Sequence, residues 1–216
     1  MKRYGALIIV AGVLIVTVIA GAVLLKLRAN RDDDSDSGAQ NRASLQSVIL
    51  LEEFGDYQCP PCAQLHPSLK ELKKQYGPKL NLVFRNLPLS TIHQNALPAA
   101  QAAEAARMQY RFWEMHDLLY ENQSLWAEDK NPRNHFRKFA TDLGLDMARF
   151  DADMDGDQVR FRLEADRDAA VRQGIDGTPT ILIEGRKLQP EATTPEGIRK
   201  GIEVVFGGRK VEGSMQ

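Results

Sequence analysis

The apolar positions of this chain change character along its length. Gly5 to Leu25 is an unbroken run of 21 residues without a charge. Residues 29–46 (ANRDDDSDSGAQNRASLQ) are polar and lack aromatics. Val48–Phe54 is then a short apolar and β-branched run, the pattern of a buried strand. From Pro60 the period changes. Leu65, Leu69, Leu72 and Tyr76 recur at i, i+4, i+7 and i+11, which predicts a helix over Pro60–Tyr76 with a core-facing stripe. Pro60 suits its first turn and Gly77-Pro78 its end, while Pro67 predicts a kink. Leu80–Arg85 reads as a second strand. Residues 96–173 are helical in pattern: an Ala-rich segment over Leu97–Tyr120, then Arg133–Leu143 ended by Gly144, then Gln158–Gln173 ended by Gly174. After Gly177-Thr178-Pro179, strand Thr180–Ile183 and the stretch at Lys187-Leu188 flank Glu184-Gly185-Arg186, a hairpin signal. Thr194 caps a last helix from Pro195 to about Phe206, stopped by Gly207-Gly208. The order is βαβ, a helical block, then ββα, which predicts one sheet with a parallel pair and an antiparallel hairpin.

These blocks divide the chain into a membrane anchor (1–28), a flexible linker (29–46) and one domain (47–210) with a helical insertion at about 95–174. At about 1.5 Å per residue the first run crosses a hydrocarbon core of roughly 30 Å. A cleavable signal has a shorter apolar region, although Ala20-Gly21-Ala22 offers a cleavage site. Lys2 and Arg3 precede the run, and Lys26, Arg28 and Arg31 follow it. The short basic N-terminus favours a single pass with the domain exported.

Composition removes several classes of function. The chain has 28 Lys+Arg against 29 Asp+Glu, so no overall positive field favours nucleic acid. The four histidines (His66, His93, His116, His135) lack zinc-ligand spacing, and two cysteines cannot hold zinc alone. No metal and no cofactor are expected. Asp151-x-Asp153-x-Asp155-Gly156 imitates half of a calcium loop. Its twelfth position is Arg162, where a bidentate Glu is needed, so it reads as acidic residues near a helix start.

Cys59 and Cys62 remain. They are the only cysteines, and they stand at the turn from the first strand into the first helix. So small a loop stabilises a fold by only about 2 kcal/mol when closed. A thiolate at a helix N-terminus, by contrast, is held by the macrodipole and by unpaired N–H groups. The placement favours disulfide exchange over stapling. Pro60 and Pro61 lack N–H groups, so only the Cys62 amide of the motif can reach the Cys59 sulfur. That predicts an acidic but not extreme thiol.

Glu53-Phe54-Gly55-Asp56-Tyr57-Gln58-Cys59-Pro60-Pro61-Cys62, His66-Pro67, His93-x-Asn95-Ala96 and Gly174-Ile175-x-Gly177-Thr178-Pro179-Thr180 together resemble the DsbA-like thiol–disulfide oxidoreductases, over roughly residues 45–207. The resemblance implies a thioredoxin-like α/β fold with a helical insertion. It implies Cys59 as the exposed nucleophile and Cys62 as the buried resolving thiol. Thr178-Pro179 becomes the family's cis-proline position, whose backbone pairs with a substrate peptide, and Glu53 a buried acid serving Cys62, with Glu52 competing for that position. His66 and His93 receive no catalytic role; His93 is placed at the start of the long helix. The implied partners are thiol-containing exported proteins and a membrane redox partner that recycles the pair, with the chain a monomer. A reductase or isomerase on the same scaffold is the first alternative. A tethered binding module with a structural disulfide is the second.

Overall fold

The computed structural model describes residues 48–213, with side chains as far as 208, together with Lys26. The expected anchor and linker thus lie outside the described residues, Lys26 apart. Among the described residues no helix is long and apolar enough to cross a membrane.

Strand β1 (Ile49–Gly55), helix α1 (Pro60–Tyr76) and strand β2 (Leu80–Asn86) form the first unit, with β1 and β2 parallel and Glu53 opposite Phe84. Helices α2 (Ala96–Arg107), α3 (Phe112–Glu121), α4 (Gln123–Trp126), α5 (Arg133–Asp142), α6 (Met147–Met154) and α7 (Asp157–Arg172) come next, and β3 (Thr180–Ile183), β4 (Arg186–Lys187) and α8 (Pro195–Gly213) close the domain. The sheet order is β2-β1-β3-β4, with β3 antiparallel to both of its neighbours. This is the βαβ–insertion–ββα arrangement that the pattern predicts.

Strand parity decides what lies on each face of the sheet. Ile49 and Leu51 of β1 meet Leu65, Leu69 and Leu72 of α1 and Ile198 and Ile202 of α8. Phe54 points the other way, to Ala169 and Ala170 of α7. A third apolar cluster fills the insertion, built on the alanines of α2 with Met115, Leu119, Trp126, Phe136 and Phe150. Tyr57, Cys59 and Cys62 belong to that third cluster. The dithiol therefore sits where the insertion meets the sheet.

Several boundaries differ from expectation. The Ala-rich helix is two helices, because Tyr110 adopts φ 61°. Its N–H donates to the Arg107 carbonyl at 3.0 Å and the Arg111 N–H to Ala106 at 2.9 Å, a left-handed helix end. The same pattern at Gly144 and Gly174 ends α5 and α7 as expected. Gly207 and Gly208 do not stop α8, which runs on to Gly213; neither has the positive φ of a terminating glycine. The hairpin turn is two residues, Glu184 and Gly185 at φ 52° and 71°, so Arg186 belongs to β4. Helix α1 continues through Pro67 as one element. Helices α4 and α6 are not among the expected elements, although Met147, Phe150 and Met154 recur at i, i+3 and i+7 behind Asp146, which caps α6. The acidic segment forms the end of α6 and the turn into α7, with Asp151 paired to Arg137 and Asp155 to Arg133. Thr194 caps α8 as predicted, accepting the Gly197 N–H at 3.1 Å.

Candidate dithiol site

Cys59 is the N-cap residue of α1, with extended backbone at φ −71° and ψ 120°. Its N–H donates to the Asp56 carbonyl at 3.1 Å, closing the turn out of β1. Four side chains hold that turn. Asp56 accepts the Gln58 N–H at 2.7 Å, the Leu89 N–H at 2.9 Å and sits 2.8 Å from His93 Nδ1. Gln58 accepts the Asn95 N–H and donates to the Ala127 carbonyl, both at 2.7 Å. Asn95 donates to the carbonyls of Trp126, Ala127 and Asp129. Gln123 donates to the carbonyls of Tyr57 at 2.7 Å and Cys59 at 3.2 Å. The turn carrying the thiol is thus fixed to the insertion, chiefly through its backbone.

The two thiols are free, and their environments push them apart. Cys62 is fully buried and Cys59 is 5% exposed. The expected exposed nucleophile is therefore nearly covered: its sulfur lies 3.5 Å from the Thr178 carbonyl across the neighbouring loop. The Cys59 pKa is lowered to about 6, first by the hydrogen bond from the Cys62 thiol and further by the Cys62 amide, against the cost of burial. Burial raises the Cys62 pKa well above the usual thiol value, and Glu53 raises it further.

Thr178-Pro179 is a cis peptide bond. It brings the Thr178 carbonyl to the dithiol, and the Thr178 hydroxyl is buried without a hydrogen-bond partner. Glu53 is 2% exposed and its Oε1 also lacks a partner. Burial, and then the Cys59 charge, raise its pKa to about 8. Parity separates it from Glu52. Glu53 shares the face of Ile49 and Leu51 under α1, whereas Glu52 points to the α7 face and pairs with Arg85 at 2.8 Å.

His93 pairs with Asp56, and its carbonyl accepts the Ala96 N–H at 3.2 Å, at the start of α2. His66 is buried in an aromatic group with His116 and Tyr120, each ring at 5.1 Å. Burial lowers the pKa of both His66 and His116 and favours their neutral forms. Asp56, Gln58, Asn95 and Gln123 carry the loop, and sequence reasoning assigned them no role. The first three lie inside the matched motifs; Gln123 has no local signal.

A family model described as Thioredoxin matches residues 45–204. The Na(+)/H(+) antiporter NhaA 3 of Salinispora tropica is 37% identical over 146 residues, covering 68% of this chain and 22% of that protein. The antiporter NhaA of Herminiimonas arsenicoxydans is 37% identical over 148 residues, with coverage of 68% and 22%. The chain spans less than a quarter of the length of these two relatives. Among solved structures, alpha-DsbA1 of Wolbachia pipientis superposes with a TM-score of 0.66 at 18% identity, over 77% of this chain and 89% of that one. BdbD of Bacillus subtilis gives 0.65 at 21% identity, over 74% and 89%. DsbA of Xylella fastidiosa gives 0.63 at 21% identity, over 77% and 88%. At these identities the likeness is one of fold.

Proposed function

The chain belongs to the thioredoxin family, and from that premise we propose that it is a thiol–disulfide oxidoreductase, working as a dithiol oxidase on exported proteins. One observation carries the reading: an acidic Cys59 and a strongly basic Cys62 share a helix start, beside a buried acid and a cis X-Pro carbonyl. The antiporter names belong to proteins of which this chain matches less than a quarter, and the residues gathered here are those of thiol chemistry.

A substrate thiolate attacks the Cys59 sulfur of the Cys59–Cys62 disulfide, and the electron pair of the broken bond leaves on Cys62. That sulfur binds a proton tightly. Glu53, which burial holds protonated well above the usual carboxylate range, is the positioned donor. The substrate's second thiolate attacks its own sulfur in the mixed disulfide, and Cys59 departs as a thiolate. The substrate loses two electrons and the cysteine pair gains them. A membrane redox partner would have to remove those electrons for a second turnover. An extended substrate segment would pair with the Thr178 backbone. The charge-free run at 5–25 would hold the domain on the extracytoplasmic side.

Trapping the thiols in cells with an alkylating reagent tests the direction. Cys59 and Cys62 mostly as disulfide, with substrate oxidation lost in Cys59→Ser, is the expected result. A mostly dithiol pair would overturn the oxidase direction in favour of a reductase or isomerase. Undiminished function in Cys59→Ser would leave the pair a structural disulfide.

A further inference from the structure

His66, His116 and Asp117 bring three metal-binding side chains together behind the dithiol helix. His66 follows Cys62 by one turn of α1, and the other two lie on α3. One ligand atom from each lies within 4.8 Å of the others, and His66 Nε2 is 3.4 Å from Asp117 Oδ1. A tetrahedral ion with bonds of about 2.0–2.1 Å holds its ligands roughly 3.3 Å apart. The His66–Asp117 pair already has that spacing.

Two further features point to a ligand. His66 Nε2 is buried and has no hydrogen-bond partner, and its side chain is only 5% exposed. Its approach to Asp117 is close but not aligned as a hydrogen bond, and an orphaned buried polar atom of this kind calls for a cause. His116 Nδ1 faces the Tyr57 hydroxyl at 3.0 Å, the outer partner that metal-binding histidines commonly have, which leaves Nε2 for a ligand. All three side chains line a half-open cavity of about 170 Å³, together with Leu69, Lys70 and Trp113 among others. It offers an entry path and room for a water as fourth ligand.

We propose that His66, His116 and Asp117 form a site for a divalent transition-metal ion of zinc type, bracing α1 against α3. Two imidazoles and one carboxylate suit such an ion, where an all-oxygen set would suit calcium or magnesium. Lys70 is the opposing charge, with Nζ 2.7 Å from Asp117 Oδ2 and 2.9 Å from Glu121. It occupies the far oxygen of Asp117 and leaves Oδ1 toward His66. Because Lys70 is half exposed, metal entry can shift it onto Glu121.

The test uses the full chain in detergent with Cys59 and Cys62 oxidised to the disulfide, so that thiols cannot bind the metal. Cobalt(II) should bind one ion per chain with the visible absorption of a four-coordinate site, and zinc should displace it and raise the melting temperature. Asp117→Asn, at a partly exposed position, and His66→Gln should each weaken zinc about tenfold or more. If His66→Gln does not fold, Asp117→Asn decides alone. Failure to bind zinc at roughly 100 µM, or equal affinity in Asp117→Asn, overturns the site.

Discussion

Glu53 shows how one residue's role follows from strand parity. The chain offers two adjacent glutamates, and their alternation cannot be read while both sit in a buried run. The sheet resolves them: Glu52 reaches Arg85, and Glu53 turns under α1 with its Oε1 unpartnered. Its pKa is about 8 folded against 4.5 unfolded. An acid raised in this way makes the fold prefer the protonated form. Its contribution is fully present below pH 4.5, declines as pH rises towards 8, and is level above that. Glu53→Gln removes the penalty. The variant should match the native chain at pH 4.5 and exceed it by a few kcal/mol at pH 8, read as urea midpoints at the two values. Equal midpoints at pH 8 would mean that Glu53 is not held protonated. Thiol–disulfide exchange should slow in the same variant, because an amide cannot give Cys62 its proton.

At the scale of elements, what the sequence revealed depended on whether a signal was local. Helix α1 was legible because its leucines, its opening proline and its closing glycine agree. The break between α2 and α3 was not, because the left-handed position is Tyr110, where a non-glycine residue costs roughly 1–2 kcal/mol and gives no cue. The end of β1 shows a contact that only the fold reveals. A Cβ on Gly55 would clash with the Phe84 ring and lie 3.0 Å from the Tyr120 hydroxyl. Phe84 is itself packed against Tyr57 and His116, so the ring has little freedom to retreat. Gly55→Ala should therefore destabilise the domain by about 1–3 kcal/mol, the range for overpacking. A denaturant midpoint unchanged from the native chain would show that the strand end can yield.

At the scale of the whole molecule, the dithiol links redox state to global stability. The sequence already located the pair and the cis-proline segment. It could not show that the third core cluster, mostly insertion side chains, buries Cys62 and all but covers Cys59, since that depends on contacts between distant segments. Cys59 titrates at about 6 folded against 9.0 unfolded. A thiol lowered in this way stabilises the reduced fold fully above pH 9, and the gain is lost as pH falls through 6. The disulfide form has no such group. Glu53 opposes the trend, but its burial penalty is common to both forms and cancels in the comparison, leaving the part due to the Cys59 charge; Cys62, raised by burial, opposes it only as pH reaches 9. The stability of the reduced chain relative to the oxidised one should therefore rise between pH 6 and pH 9. Paired urea titrations of the two forms across that range measure it. A stabilised thiolate also makes the disulfide a stronger oxidant. A pH-independent gap between the two forms would mean that the Cys59 thiolate gains nothing from the fold.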